Sequence, residues 1–175
     1  MSTAIERTNS GGEGRHMTQD RMDPTDVSLT ALSRSVTRTG GKYLCGLLRC
    51  SLADREQVAT GDLADDLDVS RASVTEMVEK FGDGDLVDHE HYKGTTLTGK
   101  GEVLARHLLW RRCVTEQFFE RELALDVDVE TAYRIGFEFP DAGLNRLAER
   151  IDHPCDRTCR ATEPDECAQL TVGSA

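Results

Sequence analysis

Lysine is nearly missing from this chain. Of 21 basic side chains only Lys42, Lys80, Lys93 and Lys100 are lysine, against 32 acidic ones and a net charge of −11. An aspartate-rich, lysine-poor surface stays hydrated in concentrated salt, so a halophilic setting is expected, with an ordinary acidic protein as the plainer alternative. Long hydrophobic runs are also missing: nothing approaches the eighteen or so apolar residues of a membrane span. The first stretch, MSTAIERTNSGGEGRHM, is polar and Gly-rich rather than a signal peptide. A cytoplasmic protein with no membrane partner is expected. No internal repeat, phosphate-binding glycine loop, zinc-protease motif or nucleophile–base–orienter set is visible, which argues against an enzyme. The carboxylates of DLADDLD suit capping and solvation, because nothing nucleophilic accompanies them.

What is present is a chain of 175 residues with 38% hydrophobic side chains, enough for one domain or two small ones with a real core. Apolar spacing is helical almost throughout, so the expected fold is mostly α. Residues 1–25 read as a disordered tail. A weak helix then runs to Gly40-Gly41, where a break is expected. KYLCGLLRCSL places Tyr43, Leu44, Leu47 and Leu48 on one buried stripe. Two short helices follow, the first capped by Thr60 and burying Leu63, Ala64 and Leu67. The second, VSRASVTEMVEKF, is capped by Ser70 and buries Val74, Met77, Val78 and Phe81 before Gly82 and Gly84 stop it.

DLVDHEHYKGTTLTGKG alternates in strand fashion and turns at Lys93-Gly94, which predicts a hairpin. A long helix follows from Thr98, then two helical segments parted by Pro140. The expected domains are a winged helix-turn-helix over 26–98, a linking helix with a small helical dimerisation domain over 99–152, and a Cys-containing tail over 153–175.

In a winged helix-turn-helix the second helix of the turn enters the major groove. Its outward N-terminal residues are Ser70, Arg71, Ala72, Ser73 and Thr75, with Glu76 beside them. Arg71 can bond a guanine edge or a phosphate, Ser73 and Thr75 are small donors, and Ala72 can touch a thymine methyl. Lys93 on the wing, next to His91 and Tyr92, suits the phosphate backbone. Acidity argues against nucleic acid in general, yet residues 70–112 carry seven bases and seven acids and are spared the excess. The competing possibility is a plain packing pair whose Ser and Thr are caps.

The segment DLADDLDVSRASVTEMVEKF, the wing YKGTTLTGKG and the passage RRCVTEQFFERELALD resemble the diphtheria toxin repressor and manganese transport regulator family of metal-dependent transcription factors. The likeness covers residues from about 42 to 154. It implies a homodimer on a palindromic operator of double-stranded DNA, commonly repressing metal-uptake genes when manganese or iron is bound. The chain departs from the family's ligands. Lys42 and Cys45 stand at first-helix ligand positions, and Arg112 stands where the linking helix usually has His. Glu116 keeps a carboxylate that some members use, and only Glu138 survives from the dimerisation-helix pattern.

Thiols offer a replacement. Cys45 occupies a ligand position and Cys113 adjoins one, while Cys155, Cys159 and Cys167 sit in a polar tail after His153 with no core of their own to join. Without a signal peptide a disulfide framework is not expected. Soft thiolates select zinc, an Fe–S cluster or redox chemistry over manganese. Small buried apolar side chains remain the plain alternative for Cys45, Cys50 and Cys113. The expected function is a DNA-binding regulator answering to a metal ion (iron, manganese or zinc), an Fe–S cluster or an oxidant. The alternative is a winged-helix protein-interaction module with a zinc-stapled tail. His107 is expected to be a packing or surface residue, and Trp110 and Phe118-Phe119 core or dimer contacts.

Overall fold

A computed structural model describes residues 24–53, 57–90, 93–163, 166, 167 and 170, with side chains from residue 29 onward. The elements run α1 (Pro24–Ser33), α2 (Arg38–Leu52), α3 (Thr60–Leu67), α4 (Arg71–Asp83), β1 (Val87–Glu90), β2 (Gly94–Leu97), α5 (Gly99–Leu123), α6 (Val129–Glu138) and α7 (Asp141–Arg150). The chain is therefore mostly α, with a winged helix-turn-helix joined by a long helix to a small helical unit. Among the described residues no helix is long and apolar enough to cross a membrane.

The break after α1 is not at the glycine pair. It falls at residues 34–37, and Thr37 opens α2 by accepting a hydrogen bond from the Gly40 amide at 3.1 Å. Gly40 and Gly41 lie inside α2 and are buried. The reason is tertiary: a Cβ at Gly41 would stand 2.4 Å from the Tyr133 hydroxyl and 2.9 Å from a Leu108 methyl, so glycine lets α2 approach α5 and α6 closely. The expected stripe on α2 holds, since Tyr43, Leu44, Leu47 and Leu48 are all buried. Each such side chain contributes about 1.5–3 kcal/mol on leaving water.

Thr60 does not cap α3. Ala59 is the N-cap and supplies no side-chain bond; Thr60 is the first helical residue. Ser70 does cap α4, its Oγ accepting from the Ser73 amide at 3.1 Å. Gly82 lies within α4, which runs to Asp83 with Gly84 as C-cap. The residue that turns left-handed there is Asp85, at φ 57°. One main core joins Leu44, Leu47, Leu48, Leu63, Val74, Val78, Phe81, Leu86, Leu104 and Leu108.

The wing is antiparallel, with Val87 opposite Leu97, Asp88 opposite Thr96, His89 opposite Thr95 and Glu90 opposite Gly94. Val58 extends it by exchanging two 2.9 Å backbone bonds with Thr95. Thr98 caps α5 as expected, its Oγ1 accepting from the Gly101 amide at 3.0 Å. Residues 151–163 form no helix or strand, yet they pack against α5.

Candidate functional site

The caps and apolar spacing of α4 split it into two faces. Val74 and Val78 are buried inward and Met77 half so, while Ser70, Arg71, Ala72, Ser73, Thr75 and Glu76 are all exposed. The exposed face is pre-arranged. Ser70 and Ser73 hydroxyls are 2.9 Å apart, and the Thr75 hydroxyl donates to the Arg71 carbonyl at 3.0 Å. The Arg71 guanidinium reaches back over Gly61, where an added Cβ would meet its Nη2 at 3.1 Å. Glu76 would repel phosphate, but Lys80 one turn on binds it at 2.7 Å and holds its carboxyl below the usual range. Of the wing residues, Lys93 is exposed and paired with Glu90 at 2.5 Å; His91 and Tyr92 lie outside the described residues.

The positions at which the resembled family holds its metal do not fit a divalent cation here. Three of them, Lys42, Cys45 and Arg112, border a cavity of about 120 Å³ lined also by Arg49, Glu130 and Tyr133 among others, while Glu116 and Glu138 do not line it. Lys42 pairs with Glu130 and Arg49 with Asp66, the latter at 2.5 Å. Three cationic side chains surround the space, and Arg112 is itself buried. Burial pushes the Cys45 thiol up to about 11, with Arg112 and Arg49 opposing, and the thiol points at the Ala105 carbonyl at 3.9 Å. Glu138 stands in solvent, paired with Arg38 at 3.9 Å. A cation would meet like charge, a protonated thiol and no nearby carboxylate from Glu138.

The structure gathers a different set. The Cys113 and Cys167 thiols are hydrogen-bonded, and Cys167 also bonds Cys159. His153 Nε2 stands 3.2 Å from Cys113 Sγ, and Gln117 donates to that sulfur at 3.0 Å. Bonding to Cys167, then burial, pushes the Cys113 and Cys159 thiols well above the usual range. Glu116 and Gln117 follow Cys113 by three and four residues, so all three share one face of α5. Cys155 is half-buried against the Trp110, Val114 and Leu144 cluster, though close enough to Cys159 for their charges to interact. Gln117 was invisible in the sequence as a partner; its i+4 spacing from Cys113 is the one signal that could have found it.

Residues 36–95 match the iron-dependent repressor N-terminal DNA-binding domain family. The HTH-type transcriptional regulator MntR of Lysinibacillus sphaericus is 37% identical over 82 residues, which is 47% of this chain and 57% of that protein. The chain thus spans about half the length of the curated relatives it matches. Among solved structures, the manganese regulator SloR superposes with a TM-score of 0.58 at 29% identity, over 66% of this chain and 54% of that one. A manganese-dependent transcriptional repressor in complex with manganese gives a TM-score of 0.59 at 24% identity, covering 66% of this chain and 53% of its own, and shows the shared fold. The matched segment contains α2, α3, α4 and the wing, the elements that carry the exposed face described above. Over residues 36–95 the chain is thus similar to the DNA-binding domain of the iron-dependent repressors, and its winged-helix part carries that likeness.

Proposed function

We propose that this protein is a homodimeric, DNA-binding transcription regulator of the metal-dependent repressor type, acting in the cytoplasm on genes of metal homeostasis. It is a binding protein rather than an enzyme. The observation that carries the proposal is the split of α4: a buried apolar side fixes the helix, and its exposed N-terminal turn presents Arg71, Ala72, Ser73 and Thr75 with no core role. Such a helix enters a major groove with its small residues close to the bases and Arg71 free to swing from Gly61 to a guanine edge or a phosphate. Lys93 on the wing supports the adjacent backbone.

We take residues 26–98 as the reading head and 99–152 as linking helix and dimer unit. Exposed Leu123, Leu125 and Val129, at the end of α5 and start of α6, offer apolar surface for a second copy. The names of the matched relatives bring a transition-metal ion to this chain as its effector class. Binding of an effector would favour one arrangement of heads over another.

The test is a gel shift on duplexes selected from a random pool by the full-length chain. Arg71→Ala should lose about 1–3 kcal/mol, roughly 5- to 150-fold, without unfolding. Unchanged affinity at matched salt rejects the assignment of α4.

A further inference from the structure

Residues 153–161 run antiparallel along one face of α5, held by α5 groups and by Cys159 and Ala161, which are buried in the main core, so the tail cysteines do have a core to join. Cys113 meets His153; Trp110 Nε1 donates to the Cys155 carbonyl at 3.1 Å; His107 Nδ1 lies 2.7 Å from the Arg157 carbonyl. Arg106 donates to the Cys159 and Ala161 carbonyls at 3.1 and 2.7 Å, and its own carbonyl accepts from the Cys159 amide at 3.0 Å. This path delivers Cys159 to the thiol cluster, where Cys167 joins it.

We propose that Cys113, Cys159, Cys167 and His153 bind a thiophilic divalent cation of the zinc class through three thiolates and the imidazole Nε2. Three thiolates with one imidazole is a common tetrahedral set for such an ion. The imidazole is oriented for it. Its Nδ1 is held 3.0 Å from the Cys155 carbonyl and 3.1 Å from the Cys155 amide, which turns Nε2 toward the sulfur; ligation through Nε2 takes the tautomer in which Nδ1–H donates to the carbonyl. Independent of the sulfurs, Glu116 Oε2 and Gln117 Oε1 are buried with no hydrogen-bond partner. Two orphaned oxygen acceptors beside Cys113 are costly in a protein alone and are eased by a positive ion nearby.

As the described residues stand, no group of three or more His, Cys, Asp or Glu side chains could hold a metal ion, so loading must draw these four together. The thiols are bonded to one another, and loading exchanges those contacts for bonds to the ion. Each of the three thiols releases one proton to solvent and the imidazole binds neutral. The site then carries a net charge of −1, which the Arg112 guanidinium, close enough to feel Cys113, offsets. A disulfide would use two of the three sulfurs and leave the imidazole and both oxygens as they are.

Full-length protein, purified without chelators from zinc-supplemented cells, should hold about one zinc per chain by elemental analysis. Cys113→Ser, Cys159→Ser and Cys167→Ser should each bring this near zero, while Cys45→Ala and Cys155→Ser keep it. Should the serine variants fail to fold, cobalt-loaded wild-type protein still decides: thiolate-to-cobalt absorption with tetrahedral bands in the visible is expected. Iron with acid-labile sulfide, a mass loss of two hydrogens marking a disulfide, or no bound metal overturns the site. So does zinc that depends on Cys155 or survives His153→Gln unchanged. Metal content is read without DNA, so its failure leaves the assignment of α4 untouched.

Discussion

Arg111 and Asp141 form an ion pair at the corner where α6 passes into α7. The same guanidinium donates to the carbonyls of Gly136, Phe137 and Phe139, so one buried side chain from α5 satisfies the end of α6 and meets the first residue of α7. Asp141 also accepts from the Thr30 hydroxyl of α1. Arg111→Met should cost roughly 2–3 kcal/mol, less than for a wholly buried pair because Asp141 keeps some solvent. Urea unfolding of both proteins measures it, and a cost under a few tenths would mean the carbonyls find other partners.

Burial pushes the His107 imidazole below its usual range; the Arg157 carbonyl opposes this, and Arg111 adds to it. The folded state therefore binds the proton less readily than the unfolded chain. His107 adds stability above its unfolded value of about 6.5 that is lost as pH falls through the lower folded value. Melting temperature should fall from pH 7 toward pH 5, and His107→Gln should flatten that slope; parallel curves for the two proteins contradict it.

Lys93 acts, on the proposed docking, against a phosphate. Lys93→Ala should weaken binding to all duplexes alike and reduce the slope of log affinity against log salt by about one. A change confined to one sequence would place Lys93 at a base instead.

Gly101 sits where the base of the wing meets α5, and a Cβ there would stand 1.9 Å from the Leu86 carbonyl oxygen. Backbone cannot swing aside as a side chain can. Gly101→Ala should lose about 3 kcal/mol, at or above the usual cost of overpacking. Thermal melts would show it, and an unchanged melting temperature would contradict this packing.

Local chemistry made much of this legible. Ser70 and the spacing of Val74, Val78 and Phe81 mark α4 without help from the rest of the chain, and Thr98 marks the start of α5 equally well. Gly40-Gly41 misleads because a glycine pair looks like a break until Tyr133 and Leu108, some ninety and seventy residues away, fill the space its side chains would need. The thiols divide for the same reason. Cys45 and Cys113 look alike in sequence, but one faces a carbonyl amid arginines and the other meets a histidine 40 residues on. Arg111 drew no notice, since a buried arginine is visible only through the carbonyls it serves.

The antiparallel run of residues 153–161 along α5 has a mechanical consequence. Four successive contact points from Arg106 to Cys113 make the tail a splint on the middle of a 25-residue rod. A rod splinted at its centre bends less, so the spacing between whatever its two ends hold becomes a property of the splint.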